Sequence, residues 1–184
     1  MSTVRNPSAA PGDLDLVRRF VNTLDIEDGI DDLGLPAAAT AWLDQEGCRA
    51  RVGAAKQREL VQVREALRDV VSMRGTDADV EAVAALDAIA RRHPLAVRFS
   101  SPAVLAPTSK GGVEAFIQRI LGLVAAAEID GSWDRMKTCA NDRCRWLFYD
   151  HSRNRSRTWC TMDLCGSQAK MRTYRSRRAV AATG

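Results

Sequence analysis

The sequence predicts a mostly α fold with small β elements (α+β). It divides into a helical N-terminal domain over residues 13–134 and a small C-terminal module over residues 135–180, after a disordered N-terminus of residues 1–12. Three observations carry this prediction. Apolar residues recur at helical spacing through most of residues 13–130, four of the five cysteines fall between Cys139 and Cys165, and charge divides sharply between the parts. Residues 1–134 hold 15 Lys and Arg against 20 Asp and Glu, whereas residues 135–184 hold 12 against 3. The net +4 conceals a body at −5 and a tail at +9, and such asymmetry points to an anionic partner for the tail, nucleic acid being the commonest.

Residues 1–12 are rich in Pro, Ser, Ala and Gly, which favours disorder. Asp13 is placed to cap a first helix on which Leu16, Val17, Phe20, Val21 and Leu24 form one apolar stripe. The acids of the following DIEDGIDDLG lack the alternating spacing and final glutamate of a calcium loop, so it reads as a solvated loop. Pro36 opens a short helix through Trp42 and Leu43, which Gly47 closes. A longer helix over residues 52–73 puts Leu60, Val63, Leu67, Val70 and Val71 on one face and ends at Gly75. Thr76 and Asp79 resemble a cap for the next helix, whose Val80, Val83, Leu86 and Ile89 make a core stripe until Pro94 stops it. The period changes in LAVRFSSPAVLAP, where Val97 and Phe99 alternate with Ala96 and Arg98 before a Ser-Ser-Pro turn, predicting a short hairpin or two small strands. A last helix over residues 113–128 is apolar nearly all round and should be central to the body. Nothing in the body reads as a catalytic motif, and the solitary Cys48 reads as a small buried hydrophobe.

The N-terminal MSTVRNPSAAPGD has one basic residue and no apolar run, so no signal peptide is expected; no segment has the roughly 18 to 20 consecutive apolar residues of a membrane span. The expected compartment is cytoplasmic, where clustered cysteines are metal ligands more often than disulfides. Their spacing here is Cys-x4-Cys, fifteen residues, then Cys-x4-Cys. Two thiolate pairs so separated can converge on one tetrahedral ion. Cys139, Cys144, Cys160 and Cys165 are therefore expected to hold one structural Zn²⁺, with an iron–sulfur cluster as the alternative and disulfides last. RWLFYD (Arg145–Asp150) is β-prone, and Arg157–Cys160 is its expected return strand around a tip at residues 151–156. Asp163 is expected to cap a helix running to about Arg178, with Cys165 in its first turn, where the helix dipole favours a thiolate. Knuckle, hairpin and ligand-bearing helix together make a treble-clef-like zinc finger, with Trp146, Phe148, Tyr149 and Trp159 expected mostly to pack over the metal site.

CANDRCRWLFYDHSRNRSRTWCTMDLCGSQAKMRTYRSRR resembles the CGNR zinc-finger family, in which Cys-x4-Cys knuckles accompany a W-x-F-x-D segment, an SRN-x-SR-x-WC stretch and a CGNR tetrad before a basic helix. LDLVRRFVNTLD and LPAAATAWLDQEG resemble the opening of the ABATE domain that usually precedes that finger. The resemblance implies a stress-induced transcriptional regulator of bacteria, and with it DNA binding. Cys165-Gly166-Ser167-Gln168 stands where the family has CGNR, so the ligands are kept while the family's Asn and Arg are not.

The tip offers Arg153, Arg155 and Arg157, and the helix offers Lys170, Arg172, Arg175, Arg177 and Arg178, with Lys170, Arg177 and Arg178 near one face. A basic helix on a rigid zinc hairpin suits phosphates or the major groove of duplex DNA. The same arginines could instead stay solvated or dock on the acidic body. The expected function is a zinc-finger DNA-binding transcription regulator whose helical domain senses an effector or dimerises. The alternative is a zinc-stabilised protein-interaction module docking an acidic partner. Asp150-His151 at a hairpin raises a nuclease reading, but His93 is the one other histidine and no second ligand set accompanies His151, so the chain is not expected to be an enzyme.

Overall fold

Helical spacing becomes five complete α-helices among the residues that the computed structural model describes, 8–171. In chain order the elements are α1 (Leu14–Val21), β1 (Leu24–Asp25), β2 (Ile30–Asp31), α2 (Pro36–Gln45), α3 (Ala54–Met73), α4 (Asp79–Ala90), β3 (Leu95–Arg98), β4 (Val104–Pro107), α5 (Gly112–Asp130), β5 (Met136–Thr138) and β6 (Leu147–Tyr149). The strands form three separate antiparallel ribbons, β1-β2, β3-β4 and β5-β6.

The core forms where the apolar stripes of α1, α3 and α5 meet, burying Val17, Phe20, Leu60, Leu67, Ile117 and Ile120 completely. Phe20, Trp42 and Phe116 lock α1, α2 and α5 together, their ring centroids 5.4–5.8 Å apart in tilted and edge-on pairs. The β3-β4 ribbon lies across α5 at Gly122, where an added Cβ would stand 3.3 Å from the Leu105 carbonyl oxygen.

Four expectations for the body need correction. Leu24 belongs to β1, because α1 stops at Val21 and Thr23 turns the chain by donating its hydroxyl to the Phe20 carbonyl at 2.8 Å. The acidic loop is not wholly solvated: Asp31 pairs at 2.5 Å with Arg64, which is 2% exposed, so one of its acids balances a buried cation. Asp13 makes no side-chain cap; Asp15 instead accepts the Ala10 N–H at 2.8 Å and the Arg18 guanidinium at 2.6 Å. Val80 and Val83 lie outside the core, 78% and 51% exposed, because α4 packs mainly against α3 and buries Ala82 and Ile89.

The N-terminal expectation of disorder is corrected where the structure describes that segment. Ser8 accepts the Tyr149 N–H at 3.0 Å, and Ala10 is buried in the core. Residues 8–10 thus run along β6 and bring the start of the described chain against its cysteine-bearing end.

The β5-β6 ribbon joins the two parts. Side chains alternate across a strand, so Leu147 and Tyr149 enter the body's core with Met136, while Phe148 points the other way into a cluster with the four cysteines. The ribbon partner differs from expectation: β6 pairs with the upstream β5, through Met136–Tyr149, Lys137–Phe148 and Thr138–Leu147, and Arg157–Cys160 is not a strand. One backbone bond, Ala140 N–H to the Thr158 carbonyl at 3.0 Å, is complemented by side chains that hold the returning segment. Lys137 donates to Asp150 at 2.8 Å and also to the Arg155 and Arg157 carbonyls, while Asp150 accepts the Arg157 N–H at 3.0 Å.

Candidate metal centre and basic surface

Cys139 follows β5, and Cys144 closes the turn to β6. Within this knuckle the Cys139 N–H donates to the Trp146 carbonyl at 2.9 Å, and both Cys144 and Arg145 donate to the Asn141 carbonyl, at 2.7 and 3.0 Å. Arg145 takes φ +52°, a left-handed conformation that turns the chain back into β6. Cys165 comes from a single wide turn at Met162–Gly166 that leads into helical residues 167–171. Thr161, not Asp163, occupies the cap of that turn, and Asp163 lies within it. The expected continuation to Arg178 lies outside the described residues.

All four sulfurs are buried and lie within 4.8 Å of one another, and none of the five cysteines is in a disulfide. Cys160 Sγ is 3.6 Å from both Cys144 Sγ and Cys165 Sγ. Four sulfurs at about 2.3 Å from a tetrahedral Zn²⁺ stand about 3.8 Å apart, so the set fits the ion closely. Sulfurs this near compete for protons. Hydrogen bonds from Cys144 and Cys160 hold Cys139 far below the usual thiol range, and the same thiolate pushes Cys144 up to about 12 and Cys160 up further still. A divalent cation at the centre stabilises all four thiolates together. Asn141 Nδ2 lies 3.6 Å from Cys165 Sγ, a second-layer amide against a ligand. Phe148, Trp146 and Trp159 pack over the cage, as expected, while Tyr149 belongs to the body's core.

The ABATE family model, described as "Putative stress-induced transcription regulator", matches residues 14–130, more than half of the chain, and the CGNR zinc-finger model matches residues 135–178. The chain belongs to the ABATE family. No curated protein matches it. Its ABATE body and CGNR finger make it a regulatory zinc-binding protein, with four buried cysteines consistent with one structural zinc. No helix among the described residues is long and apolar enough to cross a membrane.

The basic residues of the CGNR finger separate into distinct roles. Arg157 is turned inward: its Nε donates to the Trp159 carbonyl at 2.8 Å, its other nitrogens donate to the Ser8 hydroxyl and the Cys160 carbonyl, and its guanidinium lies 5.1 Å from the Phe148 ring centroid. Arg155 is exposed, at φ +48°, with Asp134 3.7 Å away. Arg153 and Lys170 are exposed and have no charge partner among the described residues. Arg172, Arg175, Arg177 and Arg178 lie outside those residues. In place of the family's Asn and Arg, Ser167 donates to the Met162 carbonyl at 3.2 Å, and Gln168 accepts from Asn141 at 3.2 Å while donating to Glu27 at 3.3 Å. Gln168 thus links the cage to the β1-β2 loop of the body.

Sequence reasoning missed the residues that seat the finger. Asn22 bonds the backbone of Leu147, and the fully buried Arg68 donates to the carbonyls of Arg145 and Val21 at 2.8 and 2.7 Å. Burial pulls the Arg68 guanidinium down, and Glu65 opposes that. Arg68 sits on the same turn of helix as Leu67 and Val71, a position that could have flagged a charge on an apolar face.

Proposed function

We propose that this protein is a cytoplasmic DNA-binding transcription regulator in which the zinc-held finger presents cations to duplex DNA and the helical body senses an effector or dimerises. The observation that carries this reading is the free positive charge of the finger: Arg153 and Lys170 are exposed and unpaired among the described residues, in a part of the chain that carries 12 Lys and Arg against 3 Asp and Glu. Anchoring through Asn22, Arg68 and Arg157 holds that charge on a rigid support, which lowers the ordering cost of binding. For the body, a groove of about 330 Å³ between α4 and α5 is lined by Val83, Leu86, Leu95, Leu121 and Val124. A surface of that chemistry suits an apolar effector or a second copy of the chain. The role is one of binding, not catalysis, and His151 uses its Nε2 on the Ala9 carbonyl at 2.8 Å.

The test is duplex affinity across a salt series, wild type against Arg153/Arg155/Lys170→Ala. Arg157 is left intact because its loss would disturb the finger itself. With about six phosphate contacts the log–log slope is near −5, and each contact removed reduces it by about 0.9. Wild-type protein with no salt-sensitive affinity for any duplex rejects the DNA reading and leaves docking to an acidic protein.

A further inference from the structure

Lys56 and Glu59 on α3, His93 beyond the end of α4, and Glu114 in the first turn of α5 form a polar cluster remote in sequence from the four-cysteine cage. His93 is 2% exposed. Its Nδ1 lies 2.6 Å from Glu114 Oε1, so Nδ1 carries a proton that it donates to that carboxylate. Its Nε2 is buried and has no hydrogen-bond partner among the described residues, although Glu59 Oε1 stands 3.3 Å away. Leaving such a nitrogen unmatched is costly. A nitrogen and an oxygen bound at about 2.0–2.1 Å on one tetrahedral ion are themselves about 3.3 Å apart.

We propose that His93 Nε2 and Glu59 Oε1 bind a second divalent transition-metal ion of the Zn²⁺ class, with Glu114 as the positioning carboxylate. The order Glu114, His93, metal is one in which a carboxylate fixes the ring's tautomer and raises the basicity of its ligating nitrogen. Two protein donors leave the remaining positions to water, so this site is open and exchangeable where the four-cysteine cage is closed. Lys56 tunes it. The ammonium lies 2.6 Å from the second oxygen of Glu59 and 3.2 Å from that of Glu114, a like charge facing the incoming ion. Occupancy ties α3, the end of α4 and α5 together at the mouth of the apolar groove, which His93 also lines.

The experiment uses the full chain with one equivalent of Zn²⁺ in the cage and titrates Co²⁺. One further equivalent is expected, with weak visible bands and none of the intense thiolate-to-cobalt charge transfer that cobalt in the cage produces. His93→Gln and Glu59→Gln each abolish it, Glu114→Gln weakens it by about tenfold to a hundredfold, and Lys56→Ala tightens it on the order of tenfold. Since His93 is buried, the half-buried Glu59 provides the variant expected to fold normally, checked by circular dichroism. No second equivalent in the wild type overturns the proposal, and so does one that survives either His93→Gln or Glu59→Gln. The first of these outcomes is what an imidazolium paired to both carboxylates would give.

Discussion

Asn22 holds Leu147 by both ends of its peptide, Nδ2 donating to the carbonyl and Oδ1 accepting the N–H, each at 2.8 Å. A side-chain amide thereby occupies the place of a neighbouring strand beside β6. Asn22→Ala strips two backbone groups of their partners and should cost about 1–3 kcal/mol. Urea denaturation reads the loss, and zinc content should remain at one equivalent, because no ligand is touched.

Arg157 and Arg153, four residues apart, should behave oppositely. Arg157→Ala removes bonds to Ser8, Trp159 and Cys160 and the stacking on Phe148, and should lower the melting temperature and speed zinc release to a chelator. Arg153→Ala should leave stability within about 0.5 kcal/mol while weakening any duplex binding. Equal effects of both on stability would contradict this division.

Arg155 presents a separable case, since its φ of +48° suits glycine and strains an arginine. Arg155→Gly should raise stability by about 1 kcal/mol and still weaken duplex binding at low salt. A variant that is less stable would show that the contact to Asp134 outweighs the backbone.

Burial tends to raise the Asp150 carboxyl, but hydrogen bonds from Lys137, Ser152 and Arg157 outweigh it and hold the group well below its ordinary value of 3.8. Because folding lowers this pKa, the carboxylate's contribution is complete above the unfolded value and is lost as pH falls through the folded one. Asp150→Asn should therefore be less stable than wild type at pH 7, and the gap should begin to close below about pH 4. Denaturation midpoints from pH 7 to pH 3 measure the gap, and one that stays constant throughout contradicts the prediction.

Removing the metal should undo the packing of Trp146 and Trp159 over the cage, because Phe148 and four thiols form too small a cluster to stand alone. Cys144→Ser or chelation should abolish the near-ultraviolet dichroism of these rings. Cys48→Ser, at a half-buried thiol remote in sequence from the cage, should leave zinc at one equivalent.

Periodicity made α1 and α3 legible, since their stripes repeat over several turns; Pro36 and Gly47 marked α2, a long apolar run marked α5, and ligand spacing made the cage legible. Orientation was less so: α4 has a stripe as regular as the others, but it lies at the edge, where Val80 and Val83 meet solvent. The partner of β6 was hidden because β5 is only three residues long and precedes the first cysteine, whereas Arg157–Cys160 offered an equally β-prone run. Arg157 looked like surface charge because composition counts a guanidinium without showing where it points. The Asn22 contact spans 125 positions, beyond the reach of any local pattern.

The docking of the finger has a consequence for synthesis. Arg68 meets Arg145 across 77 positions, Asn22 meets Leu147 across 125, and Ser8 meets Arg157 across 149. A body that has emerged from the ribosome while the finger is still inside carries Arg68 and Asn22 without their partners Arg145 and Leu147, on a face also missing Met136, Leu147 and Tyr149. Translation thus makes early residues wait for late ones, and a pause before Cys160 leaves an open apolar face for a chaperone to cover.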